Sequence, residues 1–260
     1  MSSITTDQGS LHYEVYGRGS PVILLHGYQG SWGLWHRTMT NLGSSYRTYA
    51  LDFWGFGESG DKRASYAIKD FVSLVNQFME QMGIARAPLV GHSMGGTVSL
   101  MAAIQYPERV QKVAVIASPI TGSSLFIFPK LFGYGWFGRL AYQNLWIYKR
   151  LYHLLAPLYS SDPGWPEIMD RDVSRTTLEA FFISIGSLRK TDLRPVLKHI
   201  EVPVLGMYGD KDIVVHPLQW IPLQKGLPEA VIERFPDAGH FIMLDNPDEF
   251  IIRLRNFLDA

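Results

Sequence analysis

Apolar positions along the chain follow two rhythms. Val22-Ile23-Leu24-Leu25 is a run without alternation, as a strand covered on both faces requires. Tyr46–Leu51, Leu89-Val90, Val110–Ile116, Val202–Tyr208 and Ala230–Phe235 read as further strands. Ser2–Thr6 and Leu11–Tyr16, joined at Asp7-Gln8-Gly9, predict a small antiparallel hairpin at a sheet edge. Elsewhere the spacing is helical. Ile68, Phe71, Val72, Val75, Phe78, Met79 and Met82 recur every three or four residues, the stripe of an amphipathic helix that ends near Gly83. Trp32–Leu42 has the length of a short helix, and another begins at Gly96 and runs to about Gln105, where Tyr106-Pro107-Glu108 breaks it. Two more helices are predicted, near Pro217–Lys225 and at Pro247–Leu258, the latter with Phe250, Ile251, Leu254 and Phe257 on one face.

Strand and helix alternate up to Ile116, which predicts a mostly parallel central sheet of about eight strands, flanked by helices, with the antiparallel hairpin at its N-terminal edge. The alternation then lapses. From Pro119 to His199 there is no strand signal, only helical fragments interrupted by Pro129, Gly133, Gly135, Gly138, Pro157, Pro163, Gly164 and Pro166. The organisation expected is an α/β core over residues 1–118 and 200–260, with a helical cap over 119–199 inserted after the sixth strand.

Composition narrows the function classes. With 260 residues, 47% hydrophobic and 18% charged, the chain can bury a sizeable core. Lys plus Arg and Asp plus Glu are equal at 24 each, so no global field draws in nucleic acid. There is no cysteine, which excludes disulfides and thiolate metal sites. The polar segment Met1–Ser10 lacks the basic start and apolar core of a signal peptide, and no run approaches the roughly 18 apolar residues of a membrane span. A cytoplasmic location is the expectation.

The candidate chemistry centres on Gly91-His92-Ser93-Met94-Gly95, between an apolar strand and a helix. A serine hydroxyl is a weak nucleophile until a base takes its proton, and a tight strand-to-helix turn projects its oxygen clear of its neighbours. The tightness of such a turn requires glycine at 91 and 95. The helix that follows aims free backbone N–H groups, Met94's among them, at a reacting carbonyl. His240 lies between the last strand and the last helix, and an imidazole can accept a serine proton and return it to a leaving group. His12, His36, His153, His199 and His216 read as surface or satisfied core residues. An acid to orient the base is available twice, at Asp210 and Asp212, both after the strand that ends at Tyr208.

This elbow, with an acid after a later strand and a histidine in the last loop, resembles the α/β-hydrolase family over essentially the whole chain. The resemblance implies a nucleophile–acid–base order of Ser93, Asp212 and His240. It selects Asp212 because a glycine stands three residues before it, leaving Asp210 to bond backbone amides of its turn. It also implies that the N–H of Tyr28, after His26-Gly27, joins that of Met94 as oxyanion donor, and that Asp52 organises backbone amides around Gly55 and Gly57. No metal or cofactor is required. Epoxide hydrolases and haloalkane dehalogenases of this fold are similar but carry aspartate at the elbow, and Ser93 argues against both.

The expected activity is therefore serine esterase chemistry on a moderately hydrophobic acyl or aromatic ester, through an acyl-enzyme. Two alternatives stand beside it. One is a carbon–carbon hydrolase of ring-cleavage diketones, for which Arg175 or Arg189 would meet the substrate carboxylate; the other is a ligand sensor with a retained triad. Candidate substrate contacts are His26, His92, Trp136 and Phe241.

The insertion adds a further signal. Between Thr121 and Ser161 there is no Asp or Glu, while Lys130, Arg139, Lys149 and Arg150 are present with eleven aromatics: Phe126, Phe128, Phe132, Tyr134, Trp136, Phe137, Tyr142, Trp146, Tyr148, Tyr152 and Tyr159. Three readings follow: a lid packed on itself and the sheet, an apolar substrate pocket, or a peripheral contact with a membrane or lipid surface. The partner expected is a small hydrophobic ester, and the oligomeric state is open.

Overall fold

A computed structural model describes residues 2–60, 65–126, 130, 131 and 134–260. Phe128, Pro129, Phe132 and Gly133 lie outside the described residues. The sheet has eight strands: β1 (Ser2–Thr5), β2 (Ser10–Gly17), β3 (Ser20–Leu25), β4 (Tyr46–Leu51), β5 (Ala87–His92), β6 (Val110–Ile116), β7 (Val204–Gly209) and β8 (Val231–Phe235). Their order is β1-β2-β4-β3-β5-β6-β7-β8. The β1–β2 hairpin is antiparallel and joins β4 antiparallel, while β4, β3 and β5 to β8 run parallel.

The unbroken apolar run at β3 has a direct cause. Ile23 and Leu25 point into one layer, with α2 (Ile68–Gln81) and α3 (Met94–Gln105), and Val22 and Leu24 into the other, with α1 (His36–Leu42) and the C-terminal helix. β5 behaves alike, with Leu89 on one side and Val90 on the other. Burying each such side chain contributes about 1.5–3 kcal/mol, so these two layers dominate the stability of the core. β3 is also where the strand order reverses, since the chain leaves it for β4 on one side and then for β5 on the other. Such a switch point leaves a crevice at the carboxyl ends of the strands.

Several boundaries differ from expectation for local reasons. Trp32–Trp35 is a 3-10 turn, capped by the Ser31 hydroxyl accepting from Gly33 N, and only His36–Leu42 is α-helical. The helix after β5 begins at Met94 rather than Gly96. Pro217–Gln219 is again a 3-10 turn before α8 (Trp220–Gly226). The helices between β6 and β7 are α4 (Gly135–Gln143), α5 (Leu145–Tyr159), α6 (Trp165–Ser174) and α7 (Leu178–Lys190); α9 (Ile242–Asp245) and α10 (Pro247–Asp259) close the chain. Among the described residues no helix is long and apolar enough to cross a membrane.

The segment between β6 and β7 is tied to the core by polar contacts. Tyr28 Oη donates to the Phe181 carbonyl at 2.5 Å, Ser31 Oγ to Asp172 Oδ1 at 2.9 Å, and Arg175 pairs with Glu58 at 2.8 Å. Asp245, in α9, accepts from Ser160 Oγ at 2.7 Å and from Gly239 N at 2.7 Å, so one carboxylate holds both the end of α5 and the loop that carries His240.

Candidate active site

Ser93 sits between β5 and α3 with φ 50°, a left-handed conformation that an L-residue adopts only when its surroundings enforce it. The neighbouring glycines permit the turn in two different ways. A Cβ on Gly91 would stand 2.3 Å from the Gly95 backbone, which is the turn closing on itself. A Cβ on Gly95 would instead meet the Leu25 carbonyl oxygen at 2.3 Å, so this glycine lets α3 approach the neighbouring strand β3. Gly27 has a related role: its Cβ would fall 2.8 Å from His92 Nδ1 and 3.0 Å from Ser93 Cβ.

His240 and Asp212 meet behind the serine. His240 Nδ1 and Asp212 Oδ2 are 2.7 Å apart, and both side chains are buried. Asp212 Oδ1 accepts from the Val214 and Val215 amides at 2.7 and 2.9 Å, which fixes the carboxylate. Asp212 thus meets His240 as expected, and it is Asp210 that departs from expectation. Asp212 takes the turn amides, and Asp210 forms a bidentate pair with Arg234 at 3.0 and 2.7 Å, because its side chain faces β8 rather than the turn. Ser93 and His240 share a cavity wall, although no hydrogen bond joins their side chains among the described residues. The Met94 N–H begins a helix and has no intrahelical partner; neither it nor the Tyr28 N–H donates to a backbone carbonyl among the described residues. The Tyr28 hydroxyl is committed to the Phe181 carbonyl.

The cavity encloses about 790 Å³, including its open mouth. Its walls are mainly apolar: Leu125, Leu151, Leu155, Met169, Ile185, Leu188 and Val214, with Tyr148, Tyr152, Tyr159, Trp165 and Phe241. His92 and Phe241, both expected near substrate, line it. Burial, and secondarily the neighbouring His240, push His92 well below the ordinary histidine range, so its ring is neutral. Its Nε2–H donates to the His240 carbonyl at 2.9 Å, and Nδ1 meets no donor among the described residues.

Two expected substrate contacts are corrected. His26 does not line the cavity: it is fully buried, bonded through Nδ1 to the Gly27 carbonyl at 2.7 Å and accepting at Nε2 from Phe53 N at 2.9 Å. Burial lowers its pKa, which suits a neutral ring with one donor and one acceptor already used. Trp136 is 71% exposed on α4, because that helix turns it toward solvent rather than toward Ser93. Arg175 and Arg189 are likewise absent from the cavity wall; Arg175 pairs with Glu58, and the Arg189 guanidinium lies 4.3 Å from the centroid of the Tyr134 ring.

Three further polar groups line the cavity: Tyr148 and Tyr152, from the aromatic set for which a substrate pocket was one reading, and Gln29, which no motif singles out. Gln29, with φ 59° and 1% exposure, accepts at Oε1 from Tyr148 Oη at 2.6 Å, and Tyr148 Oη also lies 2.9 Å from Tyr152 Oη. Burial raises both phenols above the ordinary tyrosine range, so they act as protonated donors. Gln29 Nε2 meets no acceptor among the described residues. The spacing of Tyr148, Tyr152 and Tyr159, four and then seven apart, places them on one helical face and was the available signal. Gln29 left none. Among the described residues no cluster of His, Cys, Asp and Glu fits a metal ion.

Comparison with known proteins agrees with this architecture. Residues 20–165 match the family model for the α/β hydrolase fold. The chain is 26% identical, over 96% of its length and 98% of the other, to a pimeloyl-[acyl-carrier protein] methyl ester esterase of Aliivibrio fischeri. It is 30% identical, over 92% of its length and 88% of the other, to a 2-hydroxy-6-oxo-6-phenylhexa-2,4-dienoate hydrolase of Comamonas testosteroni. The enol-lactonase of Burkholderia xenovorans superposes over the full length of both chains with a TM-score of 0.86 at 20% identity, a likeness of fold. From strand order, elbow and family match together, this chain belongs to the α/β-hydrolase fold family.

Proposed function

We propose that the chain is a serine carboxylic-ester hydrolase acting on a moderately hydrophobic acyl or aromatic ester. Ser93 Oγ attacks the ester carbonyl while His240 takes the hydroxyl proton. The Met94 and Tyr28 N–H groups hold the oxyanion, and His240 returns the proton to the departing alcohol. Water, activated by the same histidine, then releases the acid and restores the serine. Asp212 keeps His240 in the tautomer that leaves Nε2 free to accept. The segment 119–199 serves as the lid that walls the acyl group.

The observation that carries this reading is the 2.7 Å His240–Asp212 bond behind an apolar cavity that Ser93 lines. The names of the relatives support hydrolysis in general, and one of them is a methyl ester esterase. A dienoate substrate is favoured less, because no Lys or Arg lines the cavity among the described residues to meet its carboxylate. Gln29 Nε2 further suits a substrate with a second acceptor beyond the scissile carbonyl.

The test is a panel of nitrophenyl esters of graded acyl length. Wild type turns them over continuously, and Ser93→Ala abolishes turnover with an unchanged circular dichroism spectrum. Turnover retained by that variant removes the serine mechanism. Binding without steady-state turnover in wild type replaces the enzyme with a sensor.

A further inference from the structure

Helix α5 is apolar on both sides. Tyr148, Tyr152, Leu155 and Tyr159 face the cavity, while Ile147, Leu151, Leu154 and Leu158, spaced four, three and four, stand exposed, Leu154 at 76%. Trp146 is exposed as well, and α4 adds Trp136 and Leu140. Single exposed leucines are ordinary, but a helix that buries one apolar face and presents a second apolar stripe to water marks an interaction surface. We propose that this face of α5 docks on an anionic lipid bilayer and that the cavity draws its ester from the lipid phase; the second half rests on the esterase reading.

Charge selects the occupant. No Asp or Glu occurs between Thr121 and Ser161, whereas Arg139 and Arg150 are exposed. The neighbouring acid Asp170 is engaged by His153 at 2.8 Å and lies 4.0 Å from Lys149. A second copy of the chain would bring the same cations together without acids to balance them, while anionic headgroups balance them directly. Tryptophans at 136 and 146 suit the boundary between headgroups and acyl chains. At 15 residues, α5 is about 22 Å long and too short to cross, so it lies in the plane of the interface. Leu151 belongs both to the cavity wall and to the exposed stripe, which makes the apolar lining continuous with the docking face.

The experiment sediments the protein with phosphatidylcholine vesicles, with and without phosphatidylglycerol. Wild type follows the anionic vesicles, follows the neutral ones much less, and is partly released by salt. The double variant Leu154→Glu, Leu158→Glu, which alters only exposed positions, loses anionic-vesicle binding by at least about tenfold. It keeps its rate on water-soluble nitrophenyl acetate and loses rate on a long-acyl ester presented in vesicles. Wild type that does not sediment, or a double variant that sediments equally, overturns the proposal. A wild-type dimer by light scattering that the double variant dissolves overturns it in favour of self-association. Vesicle binding without turnover of any ester leaves the docking face standing and removes the esterase reading alone.

Discussion

Among the described residues there are two buried histidine–aspartate pairs, and their difference says more about function than either pair alone. His12 Nδ1 lies 2.9 Å from Asp52 Oδ2, and His240 Nδ1 lies 2.7 Å from Asp212 Oδ2. In both, the aspartate also accepts two backbone amides: Trp32 and Glu58 for Asp52, Val214 and Val215 for Asp212. The far side of each ring separates them. His12 Nε2 is faced by Glu14 at 3.3 Å and Glu58 at 3.7 Å, so carboxylates on both sides of that ring favour its protonated form. Burial opposes the charge there, but the bond to Asp52 and the charges of Asp52, Glu58 and Glu14 outweigh it and raise the pKa. His240 faces the cavity it shares with Ser93. A carboxylate behind an imidazole makes a structural clamp or a proton carrier according to what the other nitrogen sees.

Breaking the two pairs separately gives the largest contrast. Asp212→Asn turns an amide N–H toward His240 and forces the wrong tautomer, so kcat on a nitrophenyl ester falls about 10⁴-fold with little change in unfolding midpoint. Asp52→Asn acts the other way, costing roughly 3 kcal/mol in urea unfolding while the rate per folded molecule stays near wild type. If the two variants exchange these outcomes, the roles of the pairs are exchanged.

The contrast sharpens further inside the cavity. Gln29→Leu removes the Nε2–H donor, and kcat/KM falls about tenfold for esters that carry a second acceptor but little for plain alkyl esters of equal length. An equal loss on both kinds assigns Gln29 to packing. The smallest effect is on pH. Because the His12 pKa is raised on folding, its stabilisation is complete below about pH 6.5 and is lost as pH rises through the folded value. His12→Gln therefore loses most stability in acid and approaches wild type in alkali, as urea midpoints across that range show. His26 and His92, both lowered, have the opposite sign and cost stability as pH falls below about 6.5.

The parts of this picture visible in the sequence are those decided by neighbours in the chain. The run at Val22–Leu25 required two covered faces, and the glycines around Ser93 required a tight turn. Parts decided across the fold were not visible. Asp210 and Asp212 differ by two residues, and only the position of Arg234 on the adjacent strand shows why one faces outward. His26 carries the same ring as His240, yet Phe53 and Gly27 consume its polar atoms. Trp136 and Trp165 are equally aromatic, and the helix that bears each decides which one meets the cavity. Gln29 owes its place to a left-handed backbone conformation with no glycine to announce it.

On the esterase proposal, the apolar lining also bears on how product leaves. A neutral ester gives up little hydration on entering walls of leucine, isoleucine and valine, whereas the carboxylate made from it forfeits several kcal/mol there. If the guest is such an ester, as proposed, ionisation of the product acts as the expelling force: the cavity takes the neutral ester in and disfavours the anion that cleavage would make of it.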